Sequence, residues 1–292
     1  MRFEFIAKES LCFPPGKAAN ILRGALGVIF RRLACVPQCM DARTCAARES
    51  CMYARIFEPG GLAAWPRPFV FRARHLDGQT VAPGQSLWFD LHVFSMEHSV
   101  LSCFVQTFAA LAGEGLGPRR GKAELQRVTS GGQTLFDCVT QSIPGSIEAK
   151  SLDLRPTPDA PARVRIEFLT PTELKHAHKI ASRPEFPILF GRIRDRVSTL
   201  GRLYGAGPLE IDFQGSNERA AAVKMTACSV RHQETERRSS KTGQLHSIGG
   251  FVGVAEYEGN LSEFLPFLEA ARWTGVGRQS TFGKGELRIL DC

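Results

Sequence analysis

A run near the C-terminus combines closely spaced glycines with cationic side chains. The glycines form two Gly-x-Gly units, Gly275/Gly277 and Gly283/Gly285, and the same run contains Arg278 and Lys284. Glycine has no Cβ and accepts positive φ, so the backbone N–H groups of such a loop can approach a phosphate closely. The order of elements around the run is not that of a nucleoside-triphosphate loop or a dinucleotide loop. The run therefore predicts an anion-binding loop, and a helix C-cap followed by a turn is the plain structural alternative.

A second basic segment extends from Arg231 to His246, before a glycine pair and an apolar run. It contains Arg237, Arg238 and Lys241. The cations of this segment suit contacts with the phosphates of a polyanion. A solvated hairpin with incidental charge is the alternative.

The third constellation is a group of cysteines that follows the first predicted helix: Cys35, Cys39, Cys45 and Cys51. Four thiolates can bind zinc tetrahedrally and order a loop that lacks its own core. The spacing is loose and has no Cys-x2-Cys pair, so free thiols remain the alternative to a structural zinc site. His176 and His178 would project from one face of a strand, but we do not expect a metal there.

The composition favours a polyanionic ligand. The chain has 292 residues, 37 Lys+Arg against 29 Asp+Glu and a formal net charge of +8, and its 43% hydrophobic residues suffice for a globular core. Arginines outnumber lysines, which suits bidentate phosphate contacts. The N-terminus lacks the apolar core of a signal peptide and no run of 18 apolar residues occurs, so we expect a cytoplasmic protein with no membrane partner. Its cysteines are then not expected to form disulfides.

The elements that must position these residues occur twice in the same order. Hydrophobic periodicity in the first half predicts strands and helices at residues 2–7, 18–33, 69–73, 87–94, 100–112 and 123–140. In the second half it predicts them at 164–168, 188–204, 222–231, 251–257, 261–272 and 286–290.

Each half reads β-α-β-β-α-β, which predicts an α+β fold of tandem ferredoxin-like (RRM-like) domains. We place the N-terminal domain at residues 1–142, with the cysteine insertion at about 35–65, a linker at 143–162 and the C-terminal domain at 163–292. No RNP1-like string of stacking aromatics occurs, so binding should depend on charge and shape.

An ordered set of segments resembles the CRISPR-associated endoribonucleases that process precursor crRNA, the Cas6 type of the RAMP superfamily. The segments are Leu22-Arg-Gly-Ala-Leu-Gly27, Cys51-Met-Tyr-Ala-Arg-Ile-Phe-Glu-Pro59, Gly115-Leu-Gly-Pro-Arg-Arg-Gly-Lys-Ala-Glu-Leu125, Phe190-Gly-Arg-Ile-Arg-Asp-Arg-Val197, Gly249-Gly-Phe-Val-Gly253 and the glycine run 275–285. The resemblance implies tandem ferredoxin-like folds and binding of CRISPR repeat RNA. It further implies that the Arg231–His246 segment forms a β-hairpin that enters an RNA groove, with His232 or, preferably, His246 near the cleavage site. It also implies cleavage by the ribose 2′-OH without a metal or other catalytic cofactor, giving a 2′,3′-cyclic phosphate and a 5′-OH.

Relatives often carry a histidine in or just before the first helix, but residues 1–74 contain none and position 28 is Val28. The candidate catalytic residues are therefore Lys17, Arg23, Arg238 and His246. The candidate RNA-binding residues are Arg192, Arg231, Arg237, Lys241, Gly275, Gly277, Arg278, Gly283, Lys284 and Gly285.

Arg23 interrupts an apolar pattern between Leu22 and Leu26, which places it at the boundary of the core or at a cleft. Because an arginine stays protonated, it would hold the phosphate rather than act as a base.

The sequence thus predicts an endoribonuclease that cuts repeat RNA and can retain the crRNA within a CRISPR effector complex. A catalytically weak or inactive RAMP-type crRNA-binding subunit is the alternative. A general basic RNA-binding protein would fit the charge but would leave the ordered segments unexplained.

Overall fold

The computed structural model describes residues 1–36, 38–63, 65–94, 97–144, 148–238 and 243–290, apart from the side chains of residues 62, 98 and 238. The chain divides into two compact units, Met1–Lys150 and Ser151–Cys292. The described residues 148–162 form no helix or strand. The domain and linker limits drawn from the sequence stay predictions. No helix in the described part of the chain is both long and apolar enough to span a membrane.

The first unit is built on a five-stranded antiparallel sheet. Its helices and strands are, in chain order, β1 (Arg2–Ala7), β2 (Leu11–Cys12), α1 (Ala18–Ala34), α2 (Met52–Phe57), β3 (Phe69–Arg72), β4 (Thr80–Val81), β5 (Ser86–Val93), α3 (His98–Glu114), β6 (Ala123–Ser130) and β7 (Gln133–Asp137). The strand order is β3-β5-β1-β6-β7, and β2 pairs separately with β4. Without β7, this is the strand order of a ferredoxin-like β-α-β-β-α-β unit.

Phenylalanines dominate the core of the first unit. Alternation along β1 turns Phe3 and Phe5 inward, where both stack on Phe89 of β5. Phe108 of α3 closes over Phe3 with ring centroids 4.7 Å apart. Large aromatic side chains bury much apolar area, so this cluster contributes strongly to the stability of the unit.

The second unit repeats the order with additions. Its elements are β8 (Arg163–Thr172), β9 (Lys175–His176), β10 (Lys179–Ile180), α4 (Phe186–Tyr204), α5 (Phe213–Ala221), β11 (Lys224–Gln233), β12 (Glu236–Arg238), β13 (Leu245–Ser247), β14 (Gly250–Glu258), α6 (Leu265–Thr274) and β15 (Leu287–Leu290). The main sheet has the order β11-β14-β8-β15, and the pairs β9–β10 and β12–β13 form two small hairpins. The tandem ferredoxin-like fold is therefore confirmed.

Several local features differ from the sequence prediction. Helix α5 was not expected. The helix predicted at 261–272 begins only at Leu265, because a proline in its first turn follows a turn that ends at Phe264. The pattern of His176 and His178 on one strand is wrong: His176 ends β9, whereas Ala177 and His178 form a turn with φ of 47° and 64°.

Candidate nucleic-acid interface

Three connections leave the same end of the sheet in the second unit. Gly250, the first residue of β14, lies opposite Gln233, the last residue of β11, and Phe251 lies opposite Thr172, the last residue of β8. Strand β15 starts at Leu287, opposite Phe168 near the same end of β8. The β9–β10 hairpin, the β12–β13 hairpin and the glycine-rich loop (residues 275–286) therefore share one end of this sheet.

The backbone of the glycine-rich loop is hydrogen-bonded within the protein. The N–H of Val276 donates to the carbonyl of Gly285 (2.9 Å), and the N–H of Gly285 donates to Pro171 (3.1 Å). Other N–H donors that bond to backbone carbonyls are those of Gly275, Arg278, Phe282 and Gly283. These six N–H groups already have acceptors within the protein, and the anion-binding role of the loop stays a prediction.

Two glycines of the loop are needed for close backbone approach. A Cβ on Gly277 would lie 2.3 Å from the carbonyl oxygen of Glu173, and a Cβ on Gly285 would lie 1.8 Å from that of Val276. Both residues have φ near +70°, a region that costs other residues about 1–2 kcal/mol. The two glycines therefore allow the loop backbone to pack closely on itself and on the chain at the end of β8. The sequence analysis did not predict this packing role.

The two cations of the loop lie in different environments. Lys284 is buried, with 4% of its surface exposed. Arg278 has an exposed side chain whose guanidinium donates to the carboxylate of Glu173 at 2.6 Å, while its N–H donates to the Glu173 carbonyl. Arg278 is thus a surface cation whose position is set by Glu173, a residue that the sequence analysis did not single out.

The β12–β13 hairpin brings two predicted residues together. Arg237 lies directly opposite His246, and residues opposite one another in an antiparallel pair project from the same face. The guanidinium carbon of Arg237 lies 4.6 Å from the centre of the Phe282 ring in the glycine-rich loop. A cation over an aromatic ring at this distance is attracted by about 0.5–2 kcal/mol. The hairpin is therefore packed on the loop, and Phe282 is a contributing residue that the sequence motif had not revealed.

Other predicted residues of this segment lie around that contact. Arg231 is exposed on β11, opposite Val252. The imidazole of His232 lies 3.1 Å from the carboxylate of Glu234, and both side chains are exposed. The backbone of Arg238 pairs with Leu245, whereas the Arg238 side chain and all of Lys241 lie outside the described residues.

The arginines of α4 point in different directions, as helical pitch requires. Arg192 is exposed and pairs with Asp195 at 2.9 Å. Arg194 is buried and donates to the Phe213 carbonyl and the Ser216 hydroxyl of α5, which fixes that helix. Arg196 donates to the carbonyl of Thr274, the residue before the glycine-rich loop (2.8 Å). Among Arg192, Arg194 and Arg196, Arg192 is therefore the one with the exposed side chain.

The remaining catalytic candidates lie on the first unit. Lys17 is exposed at the N-cap of α1. Arg23 is half-buried on the same helix, with its guanidinium carbon 5.6 Å from the centre of the Phe57 ring. Arg23 thus lies at the edge of the core, against α2.

The four insertion cysteines pack into one small cluster with Ala42 and Ala54. Burial, together with hydrogen bonds to the thiols of Cys39 and Cys51, raises the pKa of the Cys35 thiol to about 12. Within the described ranges, no three His, Cys, Asp or Glu side chains form a group that could hold a metal ion as they are placed.

Family models match both units of the chain. Residues 1–150 match the family model of the AF_1859 N-terminal domain, and residues 166–287 match that of the CRISPR-associated endoribonuclease Cas6. The second unit is therefore similar to the Cas6 family over most of its length. The Cas6 match spans both hairpins and the glycine-rich loop. This match supports CRISPR RNA binding and RNA cleavage as the general activity.

Solved Cas6 structures share the fold at low sequence identity. A product complex of Cas6 (TTHB231), a Thermus thermophilus protein, is 16% identical, with a TM-score of 0.61 over 99% of this chain and 98% of that one. A product complex of Cas6 (TTHA0078) is 15% identical, with a TM-score of 0.53 over 99% of both chains. No curated protein sequence matches the chain significantly.

Proposed function

We propose that the protein binds CRISPR repeat RNA and cleaves precursor crRNA by attack of a ribose 2′-OH on the adjacent phosphate, without a metal ion. One observation carries the proposal: Arg237 and His246 lie opposite one another on the β12–β13 hairpin, and Arg237 packs on Phe282 of the glycine-rich loop. A cation and a group that can transfer a proton thus lie side by side, in the part of the chain that matches an RNA-processing family.

The reaction assigns a role to each group. The 2′ oxygen bonds to phosphorus as the bond to the 5′ oxygen breaks, which leaves a 2′,3′-cyclic phosphate and a 5′-OH. One group must take the 2′-OH proton, another must supply a proton to the departing oxygen, and cations must stabilise the charge on the phosphate. Histidine exchanges protons readily near neutral pH, so His246 is the candidate for proton transfer. Arg237, with Arg238 on the same strand, is a candidate for holding the phosphate in line. Arg23 of the first unit is a separate candidate for a phosphate contact.

A second function is favoured by one specific feature. Residues 1–74, which include α1, contain no histidine, and Lys17 and Arg23 there are cations rather than ready bases. A catalytically weak or inactive crRNA-binding subunit of a CRISPR effector complex would need only the binding surface. An active enzyme that keeps its crRNA product bound could also serve as a subunit of such a complex.

One assay separates these functions. The purified full chain is incubated with an end-labelled repeat hairpin in EDTA, and the product ends are mapped with limiting and with excess RNA. We expect a cyclic phosphate and a 5′-OH, with about one product formed per protein molecule if the product is retained. Tight binding without cleavage would leave the binding subunit. Equal binding of an unrelated hairpin of the same length would eliminate both CRISPR functions.

The cysteine cluster supports a separate proposal of a structural zinc ion. Its four thiols already pack around one small core, although zinc would have to draw the sulfur atoms closer together. We expect about one zinc per chain by elemental analysis, and a lower unfolding temperature after chelation or in Cys39→Ser. Cys138→Ser, outside the cluster, is the matched control. A chain without zinc whose unfolding temperature is insensitive to chelation would contradict this proposal.

A further inference from the structure

The β9–β10 hairpin has no part in the site described so far. Residues 175–180 read Lys-His-Ala-His-Lys-Ile, and all six are exposed. The hairpin therefore presents two ammonium groups and two imidazoles, with no acidic residue, at the sheet end that also carries the β12–β13 hairpin and the glycine-rich loop.

The base of this hairpin is fastened to the glycine-rich loop. Leu174, directly before β9, is fully buried, and its carbonyl accepts the N–H of Ala181 after β10 (2.8 Å). Glu173 bonds Arg278 twice, through its carbonyl at 3.0 Å and its carboxylate at 2.6 Å. The cationic hairpin is thus a built extension of the same surface.

The turn of the hairpin is unusual for its residue types. Ala177 and His178 both have positive φ, 47° and 64°, in a two-residue connection where Asn-Gly is the favoured pair. Each non-glycine residue in this region costs about 1–2 kcal/mol. Asn-Gly would reverse the chain at lower cost than Ala-His. The presence of Ala177 and His178 in this turn therefore points to a role other than chain reversal.

We propose that the β9–β10 hairpin is a further RNA-binding element, in which Lys175 and Lys179 contact phosphates and His178 donates to the RNA from the turn. This inference rests on the proposed function. RNA suits the hairpin better than an acidic protein does, because the cations continue the surface of Arg278 and Arg237. The exposed residues also offer little apolar area, with Ile180 (58% exposed) as the one large apolar side chain among the six.

The test compares the salt dependence of RNA binding between two variants with the same loss of charge. Lys175→Gln/Lys179→Gln removes the two hairpin cations. Arg165→Gln/Lys224→Gln removes two cations at the opposite end of the same sheet, where Lys224 faces Glu258 and Arg165 faces Glu256. Each phosphate contact contributes about 0.7 to 0.9 to the slope of log K against log salt.

For a labelled repeat RNA, we expect the hairpin variant to lower this slope by about 1.4 to 1.8, since two contacts are lost. The control variant should keep the wild-type slope. Equal slopes for the two variants would overturn the inference while leaving the proposed function intact. A wild-type protein that does not prefer repeat RNA over an unrelated hairpin would instead contradict the proposed function.

A turn variant separates binding from folding. Ala177→Asn/His178→Gly supplies the favoured turn, so its unfolding temperature should equal or exceed that of wild type. We expect it to bind repeat RNA more weakly, because the His178 donor is lost. A variant that is at least as stable and binds repeat RNA as tightly as wild type would overturn the role of the turn.

Discussion

Replacement of Gly285 by alanine tests whether the glycine-rich loop is fastened to the protein or open to a phosphate. The added Cβ would lie 1.8 Å from the carbonyl oxygen of Val276, and the residue has φ of +67°. Because the contact is with backbone, no side-chain rotation can relieve it. The loop must shift, and the two backbone hydrogen bonds made by Gly285 are then strained or lost.

The expected cost is the sum of these effects. A left-handed alanine costs about 1–2 kcal/mol, and two lost hydrogen bonds cost about 0.5–1.5 kcal/mol each. Gly285→Ala should therefore lower the free energy of unfolding of the second unit by about 2–5 kcal/mol. Gly243→Ala is the matched control, since Gly243 has φ of +70° but no atom of the described residues lies within 4 Å of an added Cβ. It should cost about 1–2 kcal/mol.

Urea unfolding followed by Trp273 fluorescence measures the difference. The other two tryptophans, Trp65 and Trp88, lie in the first unit and would be replaced by phenylalanine in every protein compared, so that the signal reports the second unit. Equal losses in Gly285→Ala and Gly243→Ala would refute the steric argument. If Gly285→Ala kept wild-type stability but lost RNA binding, the glycine would instead be needed for phosphate binding by the backbone N–H groups of the loop.

Three further outcomes are expected. Arg194→Met should lower the free energy of unfolding of the second unit by about 3 kcal/mol, because its buried guanidinium bonds acceptors in α5; a loss below about 0.5 kcal/mol in urea unfolding would show that α5 is held otherwise. Phe282→Leu should weaken repeat-RNA binding about 2- to 5-fold through loss of the contact with Arg237, whereas Phe282→Tyr should stay near wild type; similar losses in titrations of both variants would assign the effect to packing. Arg23→Ala should slow single-turnover cleavage more than it weakens binding, and equal losses would make Arg23 a binding residue only.

The sequence predicted the repeated β-α-β-β-α-β order because strands such as β1, β5 and β8 and helices such as α1 and α4 bury a periodic apolar face. Helix α5 escaped this reasoning, since its buried residues are Ser216 and Ala220 and it depends on the Asp212 cap and on Arg194, a residue of another helix. The turn at Ala177 and His178 escaped as well, because neither residue type signals positive φ.

Only part of the site could be predicted from the sequence, because several of its contacts are tertiary. The cations of the hairpin and of the glycine-rich loop could be found from charge and spacing. The pairing of Arg237 with His246 follows from hairpin register, and the contact with Phe282 depends on tertiary packing. The burial of Lys284 and the hydrogen bonds of the loop N–H groups are tertiary features that involve β8 and its end. They cannot be predicted from the residues of the loop alone.

The link between the glycine-rich loop and β8 has a consequence for the order of folding. Arg278 and Glu173, which form this link, are 105 positions apart in the chain. Contacts of such high sequence separation form late, because the entropy of closing the intervening chain opposes them until the rest of the unit is in place. Both hairpins are local structures, but the loop that supports them is fastened only when β15 pairs with β8. The cationic surface is therefore completed at the end of folding of this unit, so partly folded chains lack the ordered surface that would engage RNA.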